Sequence, residues 1–361
     1  MGSSKVRVLH CPTDTGNQAW VLSRAERALG LESDVMVFRD SWLGYQLSYN
    51  LGMNLRRPMW SIAKLLWFFQ EAIRKYDVFH FNFGSSFIPQ AIDLKWFELC
   101  DLALLKRLGK GIVVTYNGSD ARQGDYCAEH YSISPYEPHC EQPRDKKKDA
   151  LKRRRIEKFG RYADVVFALN TDLLRVLPAK TEFLPYASVD LREWRPTLTK
   201  RDNRCKVRIV HASTHRRGEK GTGYIIEAVD RLRGEGHQVE LEIVQNVPHS
   251  KVRSVYENAD IAVDQLLTGW YGGFAVEMMA LGKPVVSYIR NEDLGVVPKR
   301  MRMDMPIIRA EPDTIYNVLA STIRNESARQ MQGRRGREYV ERWHDPIKIA
   351  ARMKEVYESI S

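Results

Sequence analysis

The sequence predicts two doubly wound parallel α/β domains, and three observations lead there. Ten short β-branched or aromatic runs alternate with helix-like stretches, many of them are continuously apolar, and the alternation lapses once near mid-chain. A strand covered by helices on both faces has no polar side, so it reads as an unbroken apolar run. Strands of that kind separated by helices build parallel sheets.

In the first half the runs are Val6–His10, Asp34–Phe38, Asp77–Phe83, Gly111–Asn117 and Asp164–Leu169. Between Ala187 and Arg204 the pattern gives way to ASVDLREWRPTLTKRDNR, a polar stretch that contains proline. The runs then resume with Val207–Ser213, Val239–Gln245, Asp260–Gln265, Pro284–Ile289 and Pro306–Arg309. This divides the chain into a first domain at residues 1–188, a linker at 189–203 and a second domain at 204–342. About five strands per half read as two Rossmann-like domains facing one another across a cleft. No repeat of 20–50 residues and no low-complexity tract is present.

Length and composition agree with this. The 361 residues suit two domains, and 28% charged residues spread along the chain fit neither a disordered chain nor a multi-span membrane protein. The net charge of +11 points to anionic partners: nucleic acid, an acidic membrane face or phosphorylated small molecules. The opening residues Met1-Gly2-Ser3-Ser4-Lys5-Val6 lack an apolar signal region, and the five cysteines are scattered and odd in number. The expectation is a cytoplasmic chain in a reducing compartment. The most apolar window, Pro58–Ile73, carries Lys64 and is shorter than the ~20 residues needed to span a bilayer.

Several chemistries are excluded by missing motifs. There is no G-x-G-x-x-G, no G-x-x-x-x-G-K-[ST], no H-E-x-x-H and no D-x-D metal-binding pair. Dinucleotide dehydrogenase, P-loop ATPase and zincin are set aside, and no metal site or cofactor is expected. What is present are three strand–turn–helix segments. The first strand ends in CPTDTGNQAW, where Thr15 and Gly16 precede a helix start and an anion can meet backbone N–H groups; an ordinary βα turn is the alternative. The strand Val207–Ser213 delivers His215, Arg216, Arg217 and Lys220 into one loop before a helix expected to be capped by Thr222. Three cations beside a helix start favour phosphate binding over a solvated charge run. In VDQLLTGWYGGFAVEMMALGKPVVSYI, residues 263–289, a glycine-rich loop with Tyr271, Gly272 and Gly273 leads into a helix carrying Glu277. A carboxylate in the first turn of such a helix can accept hydrogen bonds from vicinal hydroxyls, or can simply be an acid favoured by the helix dipole.

The pairing of Arg-x-x-x-Lys-Gly-Thr at 216–222 with Tyr-Gly…Glu-Met-Met-Ala-Leu-Gly-Lys-Pro-Val-Val at 271–286 resembles glycosyltransferase family 4. The N-terminal half is similar through Asp77-Val-Phe-His-Phe-Asn, Val113-Val-Thr-Tyr-Asn-Gly-Ser-Asp120 and Asp164-Val-Val-Phe-Ala-Leu-Asn. The resemblance implies the GT-B fold, an acceptor side in the first domain, a nucleotide-sugar donor side in the second, and a C-terminal helix at 343–361 packing back on the first domain. It implies retaining, metal-independent transfer of a sugar from a nucleoside diphosphate, UDP favoured, to a hydroxyl of a glycan or lipid-linked acceptor. It assigns Arg216 and Lys220 to the donor diphosphate, Glu277 to the ribose hydroxyls, and backbone amides near Gly272 to the donor sugar. Asn117 and Asp120 fall in its acceptor-side loop. Two departures stand out. Eight residues before Glu277, where the family usually has glutamate, stands Gly269, with Asp264 or Gln265 as candidate replacements. Asn117 occupies a position that normally holds histidine.

Other constellations carry rival readings. His80, between Phe79 and Phe81, reads as a core histidine before an acceptor-site residue. Cys127, His130, His139 and Cys140 have loosely zinc-like spacing without a finger pattern. Residues 54–76 join Trp60, Leu66, Trp67, Phe68 and Phe69 to flanking cations, which suits either a buried core helix or a helix on an anionic membrane. The run Lys146–Arg155 reads as a solvated helix face. A GT-B epimerase or hydrolase and, less well matched, a basic nucleic-acid-binding protein are the alternatives. The latter lacks a helix-turn-helix or an aromatic–basic stacking platform, so nucleic acid is not expected as a partner.

Overall fold

The computed structural model describes residues 5–54, 56, 58–88, 98–136, 145–196, 206–213 and 217–361. The chain divides into two compact units, Met1–Gln123 with Lys147–Ser188 and Pro346–Ser361, and Gly124–Lys146 with Val189–Asp345. Unit 1 begins with β1 (Arg7–Cys11), α1 (Gln18–Ala28), β2 (Glu32–Val37), β3 (Tyr49–Asn50), α2 (Pro58–Lys75), β4 (Val78–Asn82), α3 (Cys100–Arg107) and β5 (Gly111–Tyr116). After α4 (Gly124–His130), which belongs to unit 2, it continues with α5 (Lys146–Tyr162), β6 (Val165–Ala168) and β7 (Glu182–Phe183).

Unit 2 runs through β8 (Val207–Ala212), α6 (Arg217–Lys220), α7 (Thr222–Gly234), β9 (Val239–Val244), α8 (His249–Glu257) and β10 (Ile261–Val263). It closes with α9 (Gly273–Ala280), β11 (Val285–Ser287), α10 (Lys299–Asp304), β12 (Ile308–Arg309), α11 (Ile315–Arg324) and α12 (Glu326–Trp343). Finally α13 (Pro346–Ile360) returns to unit 1. Each of the ten apolar runs overlaps one strand. The additional strands β3 and β7, two residues each, lie outside those runs.

The seven-stranded sheet has the order β3-β2-β1-β4-β5-β6-β7 and the five-stranded one β12-β11-β10-β8-β9. Every pairing is parallel. All carboxyl ends in a sheet therefore share one edge, and the strand order reverses between β1 and β4 in unit 1 and between β8 and β10 in unit 2. Ligand crevices of doubly wound sheets form at such reversals. The central strands β4 and β5 are buried at every residue, which explains their unbroken apolar character.

A buried polar network crosses the unit 1 core. Glu26 of α1 receives His10 Nε2 (2.8 Å), the Ser33 hydroxyl (2.6 Å) and the Tyr357 hydroxyl of α13 (2.9 Å). His80 of β4 contacts Tyr357 Oη through Nδ1 and Thr115 Oγ1 through Nε2, both at 2.7 Å, so it is the core histidine that its phenylalanine neighbours suggest. Burial, and then the neighbouring His10, holds its pKa well below the ordinary value. Burial pushes the Glu26 carboxyl up, but His10 and the hydroxyl donors more than offset this and leave it below the ordinary value. Around this network Leu22, Ala25, Ile349, Ala350 and Met353 pack α1 against α13.

The basic run on α5 is not simply a solvated face. Arg154 and Arg155 pair with Glu98, and Lys152 donates to the Arg122 carbonyl oxygen at 2.5 Å. No helix among the described residues is long and apolar enough to cross a membrane.

Tyr357→Phe removes the donor to Glu26 and the acceptor of the His80 Nδ1–H while preserving the ring. The expected loss is about 1–3 kcal/mol in urea unfolding at neutral pH. A carboxyl held below its unfolded value stabilises the fold above that value and loses the contribution as pH falls through the folded one, so the penalty should shrink below about pH 4. A penalty that grows on acidification would contradict this account.

Candidate functional site

In unit 2 the reversal point is built on Asp264, the residue following β10, whose carboxylate is fully buried. Its Oδ2 accepts the Gly272 backbone N–H at 2.6 Å, and its Oδ1 lies 3.4 Å from Lys220 Nζ. Lys220 also donates to the Ala212 carbonyl oxygen at the end of β8 (2.8 Å), and its ammonium sits 5.8 Å from the Phe274 ring centroid. One buried carboxylate thus gathers the carboxyl ends of β8 and β10, the cation of α6 and the start of α9. A dry negative charge needs such partners, and together they present an ammonium and a helix N-terminus at one place. Ser213, one residue past β8, has a buried hydroxyl with no partner among the described residues. Such an orphan at a sheet's carboxyl edge is a natural ligand contact.

The other expected residues of this half fall out differently. His215 and Arg216 lie outside the described residues, and Arg217 opens α6. Thr222 is the first residue of α7 and not its cap; Gly221 holds the cap position, and the Thr222 hydroxyl meets His211 Nε2 at 2.9 Å. Gly272 caps α9 with extended backbone and Gly273 is the first helical residue. Glu277 is therefore in the second turn of α9, not the first, because the helix opens one residue later than the glycines suggest. Its partner there is His249 Nε2 at 2.8 Å, and that ring packs on Trp194 with centroids 5.5 Å apart. Sequence reasoning missed His249, since its only signal is its place at the start of α8.

Tyr271 points inward. It is fully buried, its ring stacks on Trp270, and its hydroxyl bonds Tyr339 and His344, each at 2.9 Å. Any ligand contact from this position must come from its main chain. At Gly269 the backbone has φ +81°, and a Cβ there would lie 2.7 Å from the Arg290 guanidinium. Arg290 is buried, pairs with Asp293 (3.0 Å) and donates to the Ile133 carbonyl oxygen (2.8 Å). No side chain fits at 269. Of the candidate replacements, Asp264 is bonded to Gly272 and paired with Lys220, and the Gln265 amide donates to the Trp270 carbonyl oxygen at 2.5 Å.

In unit 1 the reversal between β1 and β4 opens into a cavity of about 510 Å³. Pro12, Thr13 and Asp14 follow β1, Phe38 and Met53 form an apolar wall, and Phe83 and Ser85 follow β4. Phe83 has φ +61°, a strained conformation for a bulky residue, at the point where the chain leaves β4. The Thr15–Gly16 turn is exposed, with Gly16 at φ +65° and Asn17 at +59°, and the Asp14 carboxylate accepts the Ala19 N–H at 3.0 Å. After β5, Asp120 accepts the N–H groups of Asn117 (3.1 Å) and Gly118 (2.6 Å), so it shapes the loop, and burial raises its carboxyl pKa. Asn117 Oδ1 is buried without a partner among the described residues and is the uncommitted group of that loop.

The described residues contain no cluster of three metal-binding side chains. His130 stacks on Tyr126 and contacts its carbonyl oxygen, while His139 and Cys140 lie outside the described residues.

No protein-family model matches the chain, and no curated protein matches it. Solved structures do. Sucrose-phosphate synthase from Thermosynechococcus elongatus aligns at TM-score 0.65 and 16% identity over 99% of both chains. HepE from Anabaena, solved with UDP-glucose, aligns at TM-score 0.63 and 11% identity over 99% of this chain and all of its own. WaaG, described as a glycosyltransferase involved in lipopolysaccharide biosynthesis, aligns at TM-score 0.58 and 10% identity over 98% and 99%. Two parallel-sheet units with these neighbours across the whole chain give it the GT-B fold.

Gly269→Ala should destabilise unit 2 by about 1–3 kcal/mol in denaturant unfolding, combining a left-handed backbone with displacement of buried Arg290. A midpoint equal to that of the parent would show that the loop is not held this way.

Proposed function

We propose that the chain is a glycosyltransferase that moves a sugar from a nucleoside-diphosphate sugar, UDP favoured, to a hydroxyl of a glycan or lipid-linked acceptor. The observation that carries this reading is the buried Asp264 holding Lys220 and the start of α9 together at the reversal point of the unit 2 sheet. When the anomeric C–O bond to the diphosphate breaks, negative charge grows on the leaving group. A fixed ammonium beside a helix N-terminus stabilises that charge without reorganising at the moment of reaction. Arg216 and Lys220 supply the cations a bound metal would otherwise provide, which favours metal-independent transfer. Retention at the anomeric carbon follows the family resemblance. HepE, a neighbour in fold, was solved with UDP-glucose, and this supports the choice of UDP.

In this reading Glu277 accepts the ribose hydroxyls, with His249 orienting the carboxylate. Gly272 and Gly273 bring backbone close to the donor sugar, and Tyr271 contributes only main chain. Arg217 and His215 complete the phosphate loop. The unit 1 cavity takes the acceptor, with Asn117 Oδ1 as a hydroxyl contact and Asp120 shaping its loop. Thr15 and Gly16 border the same strand end.

Thermal shift against UDP-, GDP-, ADP-, CMP- and dTDP-sugars should single out one nucleotide, and no shift with any would remove the reading. Lys220→Ala should lose about 2–4 kcal/mol of transition-state stabilisation, roughly 30- to 1000-fold in kcat. Full turnover by that variant would refute the role of Lys220, and donor turnover undiminished by omitting acceptor would indicate a hydrolase or epimerase. Glu277→Ala, and more mildly His249→Ala, should weaken nucleotide binding in calorimetry, and unchanged affinity removes them from the ribose site.

A further inference from the structure

The helix α2 has one face in the core and one left exposed among the described residues. Leu65, Phe68 and Ala72 are buried in unit 1. On the opposite side Met59 is 77% exposed, Trp60 78%, Leu66 61% and Trp67 63%. At ~100° per residue these four fall within one arc of the helix together with Ala63, Lys64, Gln70, Glu71 and Arg74. Two tryptophans in water two turns apart on one face, with Met59 and Leu66 beside them, are an exposed apolar patch and not the scattered apolar residues usual on a protein surface.

The charges on and beside that arc are mostly positive. Lys64 stands between Trp60 and Trp67, one turn from each, and Arg56 precedes the helix. Neither side chain has a carboxylate partner among the described residues. The one acid of the arc, Glu71, is paired with Arg74 at 2.9 Å. Tryptophan with lysine and arginine around it is the composition of a helix lying in a lipid interface, where indole sits at headgroup depth and cations meet anionic headgroups. The helix does not span: its 18 residues reach only ~27 Å and carry four charges. A second copy of the chain on the same face would bring two such mostly positive arcs together.

We propose that α2 docks unit 1 on an anionic lipid surface, with Trp60 and Trp67 at the headgroups, Met59 and Leu66 below them, and Arg56 and Lys64 on lipid phosphates. The start of α2 is also tied to a segment next to the unit 1 cavity wall. Ser61 Oγ donates to the Asn54 carbonyl oxygen (3.0 Å) and accepts the Asn54 N–H (2.9 Å), and Asn54 adjoins Met53 in the cavity wall. Such docking suits an acceptor carried on a lipid. The docking itself does not depend on glycosyl transfer.

The test is co-sedimentation of the full chain with vesicles of phosphatidylglycerol and phosphatidylcholine, against phosphatidylcholine alone. Binding is expected to the anionic vesicles, weakened by salt, and much lower to the neutral ones. Trp60→Ser with Trp67→Ser should cut the partition at least ~10-fold while the melting temperature is retained, because both side chains are exposed. Arg56→Glu with Lys64→Glu should cut it comparably and flatten the salt dependence. No sedimentation with anionic vesicles overturns the proposal. So does binding that neither double variant changes, which would place the contact on another basic surface. A dimer in solution that the tryptophan variant dissolves, without vesicle binding, overturns it in favour of a second copy.

Discussion

Every strand in both sheets runs parallel to its neighbours, and the rest of the molecule depends on that constraint. Parallel strands need crossover connections, here mostly helices, so most carboxyl ends are followed by a turn and the N-terminus of a helix on the same sheet edge. Where the order reverses, two such turns diverge and leave room. In unit 2 that room is organised by Asp264, whose dry carboxylate draws in an amide from the glycine loop and the ammonium of Lys220. Burying the charge fixes a cation at the sheet edge, where an anion can use it. The polar group that looks costly in the core is thus what positions the surface chemistry.

Unit 1 meets the same constraint with a different device. Its central strands bury His10, His80 and Thr115 among apolar residues, and those polar groups are gathered with Glu26 and Tyr357 into one network that reaches from the sheet to α1 and α13. The last helix of the chain is held not only by apolar packing but by a hydroxyl that satisfies a buried carboxylate. Unsatisfied, that carboxylate would carry a large desolvation penalty, so docking of α13 and order in the sheet core are coupled. The cavity at the edge of this sheet is apolar on the side of Phe38 and Met53 and polar where Ser85 and Thr13 line it.

The comparison between strand runs and strands shows which signals survive. The runs over β4 and β5 are legible because every residue of those strands is buried, whereas β3 and β7, two residues each, lie outside the runs. Glycines read well as places where backbone must turn or approach, but which neighbour requires them did not: Gly269 is obligatory because Arg290 fills the space of a Cβ. Helix starts shifted by a residue, enough to move Glu277 from the first turn to the second and the cap of α7 from Thr222 to Gly221. Tyr271, which in sequence sits among ligand-facing glycines, points its ring the other way, to Tyr339 and His344 nearly seventy residues on.

Apolar periodicity and the placement of glycines and cations are local properties of the chain, so the fold class was legible in the sequence, as were the loops proposed here to hold the chemistry. Only the tertiary structure decided which side chains in those loops remain for a ligand. Asp264, Gln265 and Asp120 are committed to neighbours, Asn117 and Ser213 keep an unpartnered oxygen among the described residues, and Glu277 acquires His249. The face of α2 was decided the same way: its amphipathic pattern fits a core helix or an interfacial one, and only packing shows that the core takes Phe68 and leaves Trp60 and Trp67 in water. The physical reason is common to all of these. Hydrogen-bond satisfaction and burial are settled by partners distant in sequence, and no local pattern records them.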